Sequence, residues 1–199
     1  IMRIIAGKHR GRKLAAPAGQ TLRPSSDRLR QALFNILQHS KHGVEIDGAI
    51  VVDAFAGTGA IGLEALSRGA GHAVFIENER TALELLRKNV ALCSESEHAD
   101  ILRADATDPP PARVACDLAF LDPPYGRELA PTALSALTQK GWFKDDALCI
   151  VELAAAEQLV LPPGFVLLDS RIYGGAQIVI LRWHDTGQPE LPEPLPERS

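Results

Sequence analysis

The chain has 199 residues, 46% of them hydrophobic, and a formal net charge of −4. No apolar run approaches the ~20 residues that a membrane helix needs. The apolar start, residues 1–7, is too short for a secretory signal and is followed too closely by basic residues. We therefore expect a soluble, cytoplasmic protein without membrane contact, and the length favours one main domain with a substantial core.

The cysteines and histidines form no pattern typical of disulfides or metal sites. Cys93, Cys116 and Cys149 are odd in number and widely spaced, without a CxxC pair. This spacing predicts three small buried side chains. His39 and His42 adjoin the end of a predicted helix and are expected at the surface, so no metal site is predicted.

Charge is distributed unevenly along the chain. Residues 1–30 contain eight lysines or arginines against one acid, Asp27, a balance of +7 that leaves −11 for the remainder. A basic extension on an acidic body suits the phosphate backbone of a nucleic acid, although a solvated charged face is the commoner role of such a run. Glycines between the charges predict a hairpin or loop that presents its side chains. The candidate contacts there are Lys8, Arg10, Arg12 and Lys13.

The periodicity of apolar residues predicts the elements that follow. Helical spacing predicts an amphipathic helix over 27–38, capped by Ser26 or Asp27. Further helices are predicted near 60–68, 80–93 and 129–140, and strands near 49–55, 72–76, 100–104, 117–121, 148–153, 165–172 and 177–183. Such alternation indicates an α/β protein with a mostly parallel, doubly wound sheet.

The last two predicted strands are joined without room for a helix. Gly174 and Gly175 offer a tight turn between them, which predicts an antiparallel hairpin whose last strand is inserted into the sheet. We therefore expect a seven-stranded sheet with an antiparallel last strand. The expected organisation is a basic hairpin and helix extension packed on the core (1–40), a main domain (41–183) and a disordered, acidic, proline-rich tail (184–199).

A glycine-rich segment, 57–62, follows the first predicted strand and precedes a helix, as a nucleoside-binding loop does. Gly57 and Gly59 let the backbone turn sharply and approach a ligand. Glu77 lies about 20 residues further on, where an acid can accept hydrogen bonds from ribose hydroxyls. The cofactor residues expected around this loop are Asp53, Phe55, Gly57, Thr58, Gly59, Glu77, Asn78, Asp105 and Ala106.

Nucleoside binding alone leaves NAD and S-adenosylmethionine (SAM) open. Asp53 just before the glycines suits a cationic amino group and is ill-suited to a pyrophosphate, which favours SAM. Asp105 and Ala106 end the third strand, where a carboxylate and a backbone N–H could bind adenine. Asp105 could equally cap a turn toward the prolines at 109–111.

The segment Asp122-Pro123-Pro124-Tyr125 follows the apolar residues 118–121. The Asp122 carboxylate and the Pro123 carbonyl can accept the two N–H bonds of a nucleobase amine and align its nitrogen for methyl transfer. The prolines stiffen the turn, and Tyr125 offers a ring for stacking. Alone the segment could be an ordinary proline turn; after a complete cofactor loop it indicates methylation of a planar amine.

These motifs resemble the class I SAM-dependent methyltransferases, which have a Rossmann-like fold, and more closely the RsmD family of 16S rRNA guanine-N2 methyltransferases. The general motifs are 53–59 and 122–125; the segments that point to this family are 2–14 and 23–35. The chain has Ser25 and Gln31 where the family more often has Thr and Glu. The acidic tail is not part of the resemblance.

The resemblance implies methyl transfer to guanine N2 within the small ribosomal subunit or its precursor. It implies that Asp122 and Tyr125 orient the guanine, and that the segment from Arg23 through Ser26 to Arg28 closes over the cofactor and approaches the RNA. We expect a monomer. The alternatives are a DNA adenine-N6 methyltransferase, a non-catalytic RNA-binding or ribosome-assembly factor and, least favoured, an NAD oxidoreductase.

Overall fold

The structure, a computed structural model, describes residues 2–18, 24–39 and 44–186. Helices and strands alternate along most of the described chain. In chain order the elements are α1 (Pro24–His39), β1 (Ile50–Ala54), α2 (Ala60–Ser67), β2 (His72–Glu77), α3 (Arg80–Leu92), β3 (Ala99–Arg103), β4 (Cys116–Leu121), α4 (Leu129–Gln139), β5 (Phe143–Ala154), β6 (Phe165–Tyr173) and β7 (Ala176–Trp183).

Seven strands form one sheet in the order β3-β2-β1-β4-β5-β7-β6. The first five in chain order pair in parallel, whereas β7 lies between β5 and β6 and is antiparallel to both. Tyr173 pairs with Ala176 across Gly174 and Gly175, so the predicted hairpin and inserted last strand are confirmed. The strand order reverses between β1 and β4, and ligands of doubly wound sheets bind beyond the carboxyl ends at such a point.

Both faces of the sheet are covered. One hydrophobic cluster joins α1, α2 and α3 to the side of β1 that carries Val51, and a second joins α4 to the side that carries Val52 and Ala54. This alternation follows from the period of two along a strand. Cys93, Cys116 and Cys149 are buried and unpaired, as predicted.

The predicted boundaries agree with the structure to within one residue except at the starts of α1 and β5. The cap expected at Ser26 or Asp27 is wrong because α1 begins at Pro24, a residue that suits the first helical position since its missing N–H needs no partner there. β5 begins at Phe143, five residues before the predicted start. The charged, exposed residues 144–146 hid this part of the strand.

Two crossovers, 104–115 and 155–164, contain no helix, which departs from strict alternation. Prolines 109–111 in the first cannot sustain a helical hydrogen-bond pattern.

The N-terminal segment folds back on the core. One antiparallel bridge pairs Arg3 with Lys13, so the predicted hairpin has a single bridge in place of two regular strands. Met2, Ile4 and Leu14 are buried in the cluster of α1, α2 and α3. Residues 2–18 therefore share their core with the sheet.

The predicted disordered tail falls almost entirely outside the described residues, which end at 186. None of the helices in the described part of the chain combines the length and apolarity needed to cross a membrane.

Candidate active site

A cleft of ≈ 490 Å³ opens beyond the carboxyl ends of β1, β2, β4 and β5. Its volume is in the usual range for small-molecule sites. It unites three predicted cofactor residues with the predicted acceptor segment. The lining residues are Phe55, Glu77, Asn78, Glu79, Asp122, Pro123, Pro124, Tyr125 and Glu152.

Glu77 is held in the cleft by backbone N–H groups. Its Oε2 accepts from Gly57 at 2.7 Å, and its Oε1 accepts from Asn78 and Glu79, both at 2.8 Å. These bonds fix the carboxylate against the glycine loop. A carboxylate oxygen can accept more than one hydrogen bond, so Glu77 is oriented and still able to receive ribose hydroxyls.

Asp53 is only 2% exposed and does not line the cleft. Its Oδ2 accepts from the backbone N–H of Gly62 at 2.9 Å and so satisfies an open donor in the first turn of α2. Desolvation raises the pKa of Asp53 to about 7, the Gly62 bond opposes this, and the negative charge of Glu77 adds to it. Asp53 therefore supports the glycine loop from beneath in this structure.

The two loop glycines meet different surroundings. Both have left-handed backbone, with φ +55° at Gly57 and +78° at Gly59. A Cβ on Gly59 would lie 2.3 Å from Leu86 Cδ1, whereas one on Gly57 would meet nothing within 4 Å. Gly59 is needed for packing, and Gly57 leaves open space where a ligand can approach.

Thr58 and Asp105 form hydrogen bonds within the protein in this structure. The Thr58 hydroxyl donates to Met2 Sδ at 3.5 Å, and its carbonyl accepts from Asn89 Nδ2 at 2.9 Å. Asp105 Oδ1 accepts from the backbone and hydroxyl of Thr107 at 2.8 and 2.7 Å, which is the turn-capping alternative. A cofactor contact by either residue stays a prediction.

A second, narrow cavity of ≈ 20 Å³ adjoins the cleft and shares Phe55, Glu77 and Asn78 with it. It is completed by Ile76, Ala104 and Ala106, so the predicted Ala106 lies where the sequence places an adenine. The cavity is smaller than a purine, and Phe55, whose backbone φ is +63°, forms one of its walls.

Asp122 and Glu152 face the cleft from neighbouring strands. Restricted hydration raises the pKa of Asp122 well above its usual range, and the negative charges of Glu152 and Asp53 add to this effect. Desolvation also raises the pKa of Glu152, while a hydrogen bond from the Tyr125 hydroxyl at 2.8 Å opposes the rise. Tyr125 is 45% exposed, which leaves its ring accessible.

Among the residues that the structure describes, the charged side chains that line the cleft are all acidic: Glu77, Glu79, Asp122 and Glu152. Negative potential of this kind favours a cationic ligand and opposes a pyrophosphate. The sequence did not single out Glu152, although it lies near the carboxyl end of the strand next to β4. The rule that ligands bind beyond strand ends could have identified it.

The basic residues of the extension divide into two groups. Lys8 Nζ lies 2.7 Å from Glu95 Oε1, and Arg12 Nη1 donates to the Leu92 carbonyl. Arg10, Lys13 and Arg28 are exposed. Of the remaining predicted RNA contacts, Arg23 and the side chain of Ser26 lie outside the described residues.

Asp145, Asp146 and His184 form the one cluster in the described residues with metal-ligating atoms close together. The His184 Nδ1 atom lies 3.0 Å from Asp146 Oδ1. The two aspartates are exposed, and none of the three residues lines the cleft.

Comparison with known proteins identifies the family. The chain belongs to the family described as conserved hypothetical protein 95, whose model matches residues 2–182. Ribosomal RNA small subunit methyltransferase D from Haemophilus influenzae is 38% identical over 177 residues, 87% of this chain and 89% of that protein. The resemblance to the RsmD family is thus confirmed, and the protein is a methyltransferase.

Solved structures agree with this fold. A methyltransferase structure from Escherichia coli has a TM-score of 0.78 and 34% identity, covering 92% of this chain and 98% of that one. An RNA methyltransferase from Salinibacter ruber, solved with S-adenosyl-L-homocysteine, has a TM-score of 0.61 at 12% identity, covering 92% of this chain and 100% of that one. At that identity the likeness concerns the fold.

Proposed function

We propose that the protein transfers a methyl group from SAM to the exocyclic N2 of a guanine in 16S rRNA of the small ribosomal subunit. The observation that carries the proposal is the single acidic cleft in which Asp122 and Tyr125 lie together with Glu77. The H. influenzae relative is named as a small subunit rRNA methyltransferase, which supports the substrate class.

The cleft residues fit SAM better than NAD. Open space above Gly57 and the fixed Glu77 carboxylate suit a nucleoside, and the surrounding acids suit a cation. The residues assigned to the cofactor are Asp53, Phe55, Gly57, Thr58, Gly59, Glu77, Asn78, Asp105 and Ala106. When bound, SAM supplies an electrophilic methyl group on a sulfonium centre.

Asp122, Pro123 and Tyr125 act on the acceptor. The Asp122 carboxylate and the Pro123 carbonyl accept hydrogen bonds from the guanine amine, which holds its nitrogen toward the methyl group. The same oxygens stabilise the positive charge that develops on that nitrogen. The Asp122 carboxylate, which accepts from the amine, is also placed to receive the proton that the methylated amine releases. Tyr125 stacks on the base.

RNA approaches over the basic extension in this proposal. Lys8, Arg10, Arg12, Lys13, Arg23, Ser26 and Arg28 are the assigned contacts. If these residues hold the phosphates outside the acidic cleft, a single unpaired base can enter it. RNA-binding proteins commonly bind bases that are already unstacked. The protein would act as a cytoplasmic monomer without a metal.

Substitution of Asp122 tests the proposal. We expect Asp122→Ala to abolish methyl transfer to small subunits that lack the modification, while SAM affinity measured by calorimetry stays within about threefold, because the lost contacts are to the acceptor. Full turnover by the variant would remove Asp122 from the mechanism.

The identity of the substrate is tested with labelled SAM offered together with unmodified small subunits, naked rRNA and duplex DNA. Label in guanine N2 of the subunits supports the proposal. Transfer only to DNA adenine would replace it with the adenine-N6 alternative, and absence of transfer with retained rRNA binding would indicate an assembly factor.

A further inference from the structure

Glu152 lies beside Asp122 in the cleft. It lies near the carboxyl end of β5, next to β4 in the sheet, and both carboxylates line the cleft. The Tyr125 hydroxyl donates to Glu152 Oε1 at 2.8 Å. Among the described residues, no donor forms a hydrogen bond with the second oxygen, Oε2.

The other cleft acids are committed to the backbone. Glu79 caps α3 by accepting from Thr81 and Ala82, at 2.9 and 2.6 Å. Glu77 accepts from three backbone N–H groups. Glu77 is assigned to the ribose, so among the described residues of the cleft the acids that keep an oxygen for a base are Asp122 and Glu152.

The ring atom beside the amine distinguishes guanine from the other bases. In guanine the N2 amine adjoins N1–H, a donor, whereas in adenine and cytosine the exocyclic amine adjoins a ring nitrogen that is an acceptor. An ionised carboxylate only accepts hydrogen bonds. Desolvation raises the pKa of both acids in the free cleft, and the charge of Glu152 adds to the rise at Asp122. Hydrogen bonds donated by the base favour the ionised forms. Two ionised carboxylates match the paired N1–H and N2–H donors of guanine, whereas the ring acceptor of adenine or cytosine would face one of these carboxylates and be repelled.

We propose that Glu152 is the residue that selects guanine, by accepting the N1–H bond while Asp122 accepts from N2. This inference rests on the proposed function and deepens it, since an aspartate, two prolines and an aromatic ring serve any planar amine. Tyr125 acts as a positioning residue for Glu152, because its hydroxyl fixes one oxygen and stabilises the charged form.

The test compares two acceptors that carry the same amine. Small subunits are reconstituted with guanine or 2-aminopurine at the nucleotide that the protein methylates; 2-aminopurine keeps the amine, but its N1 is an acceptor. We expect the unsubstituted protein to prefer guanine by about 100-fold or more in kcat/KM, because a site built around a donor rejects an analogue that lacks it.

Glu152→Gln should lower kcat/KM on guanine about 10- to 100-fold and reduce the preference at least about 10-fold, since an amide can donate to the N1 acceptor. Glu128→Gln removes the same charge from an exposed residue outside the cleft lining and should leave the preference unchanged. An unaltered preference in Glu152→Gln would overturn the inference.

Two further results keep the inference separate from folding and from the proposed function. Thermal melting and SAM titration show whether Glu152→Gln is folded. If it is not, Glu152→Asp keeps the charge and should retain the guanine preference at a reduced rate. Loss of that preference in a folded Glu152→Asp counts against the inference. If the unsubstituted protein methylates adenine and no guanine, the proposed function itself fails.

Discussion

The Asp53 carboxylate is buried in the core and accepts one backbone hydrogen bond. Among the described residues, no cationic side chain pairs with it. Burial without a counter-ion favours the protonated form and costs stability whenever the group is ionised. A ligand with a positive charge offsets this cost. The ionised form of Asp53 therefore lowers the stability of the free protein but favours binding of a cationic cofactor.

Asp53→Asn tests this opposition. The pKa of Asp53 is raised from 3.8 to about 7, so in the unfolded chain the group loses its proton first as pH rises. The protonated form stabilises the fold fully below pH 3.8. This contribution to the free energy of unfolding falls between pH 3.8 and about 7 and then levels off, and the total loss is at most ~4 kcal/mol. Urea denaturation from pH 4 to 8 should show a flatter curve for the variant, and SAM affinity at pH 8 should fall. An unchanged pH dependence would contradict the raised pKa.

Gly57 and Gly59 differ in the space around the position that a side chain would occupy. Gly59→Ala should destabilise the fold by about 2–5 kcal/mol, because left-handed strain adds to overpacking against Leu86. Gly57→Ala should cost only about 1–2 kcal/mol from backbone strain but weaken SAM binding markedly. Denaturation and SAM titration of both variants measure the two effects; equal destabilisation would contradict the packing difference.

At the level of elements, Glu64 on α2 connects the N-terminal segment to two helices. This fully buried carboxylate accepts from the backbone of Ile5 and Ala6 at 2.8 and 3.0 Å and from Arg68 Nε at 2.8 Å. Arg30 Nε on α1 lies 3.8 Å from it. Glu64 thus joins the buried Ser67 and Asn89, which also bond this segment, in holding it to the core.

Glu64→Gln should destabilise the protein by about 3–5 kcal/mol, because it leaves the buried Arg68 without its counter-ion and gives the amide only one acceptor atom. Arg30 keeps its ion pair with Asp27 at 2.9 Å. Limited proteolysis should also cut the N-terminal segment faster. The matched control is Glu84→Gln on α3, whose exposed pair with Arg80 should contribute less than about 1 kcal/mol. Urea denaturation measures both, and similar losses would argue against a special role for Glu64.

At the level of the whole molecule, basic and acidic surfaces are separated. The basic segment packs beside α2 and α3, through Lys8 with Glu95 and Arg12 with the Leu92 carbonyl, while the cleft is acidic. Arg10 and Lys13 are exposed on this segment. The separation lets phosphates bind outside the cleft while a base enters it.

The double substitution Arg10→Ala and Lys13→Ala should weaken binding to small subunit rRNA and reduce the slope of log affinity against log salt by about 1–2, because two phosphate contacts are lost. SAM affinity should not change. Arg171→Ala on the edge strand β6 serves as the control and should leave the slope unaltered. A slope unchanged by the double substitution would remove these residues from the RNA contact.

The sequence by itself determined the sheet, its inserted last strand and the position of the cofactor loop, because apolar periodicity and glycine turns are local properties of the chain. A general rule for the handedness of crossovers did the rest. It also indicated Glu77 and Asp122, since each directly follows a predicted strand. Only the tertiary structure decided that Asp53 supports the loop from beneath, that Asp105 caps a turn and that Glu152 adjoins Asp122. Those facts depend on which strands become neighbours and which backbone donors they meet, and residues distant in the chain acquire such contacts only when the sheet assembles.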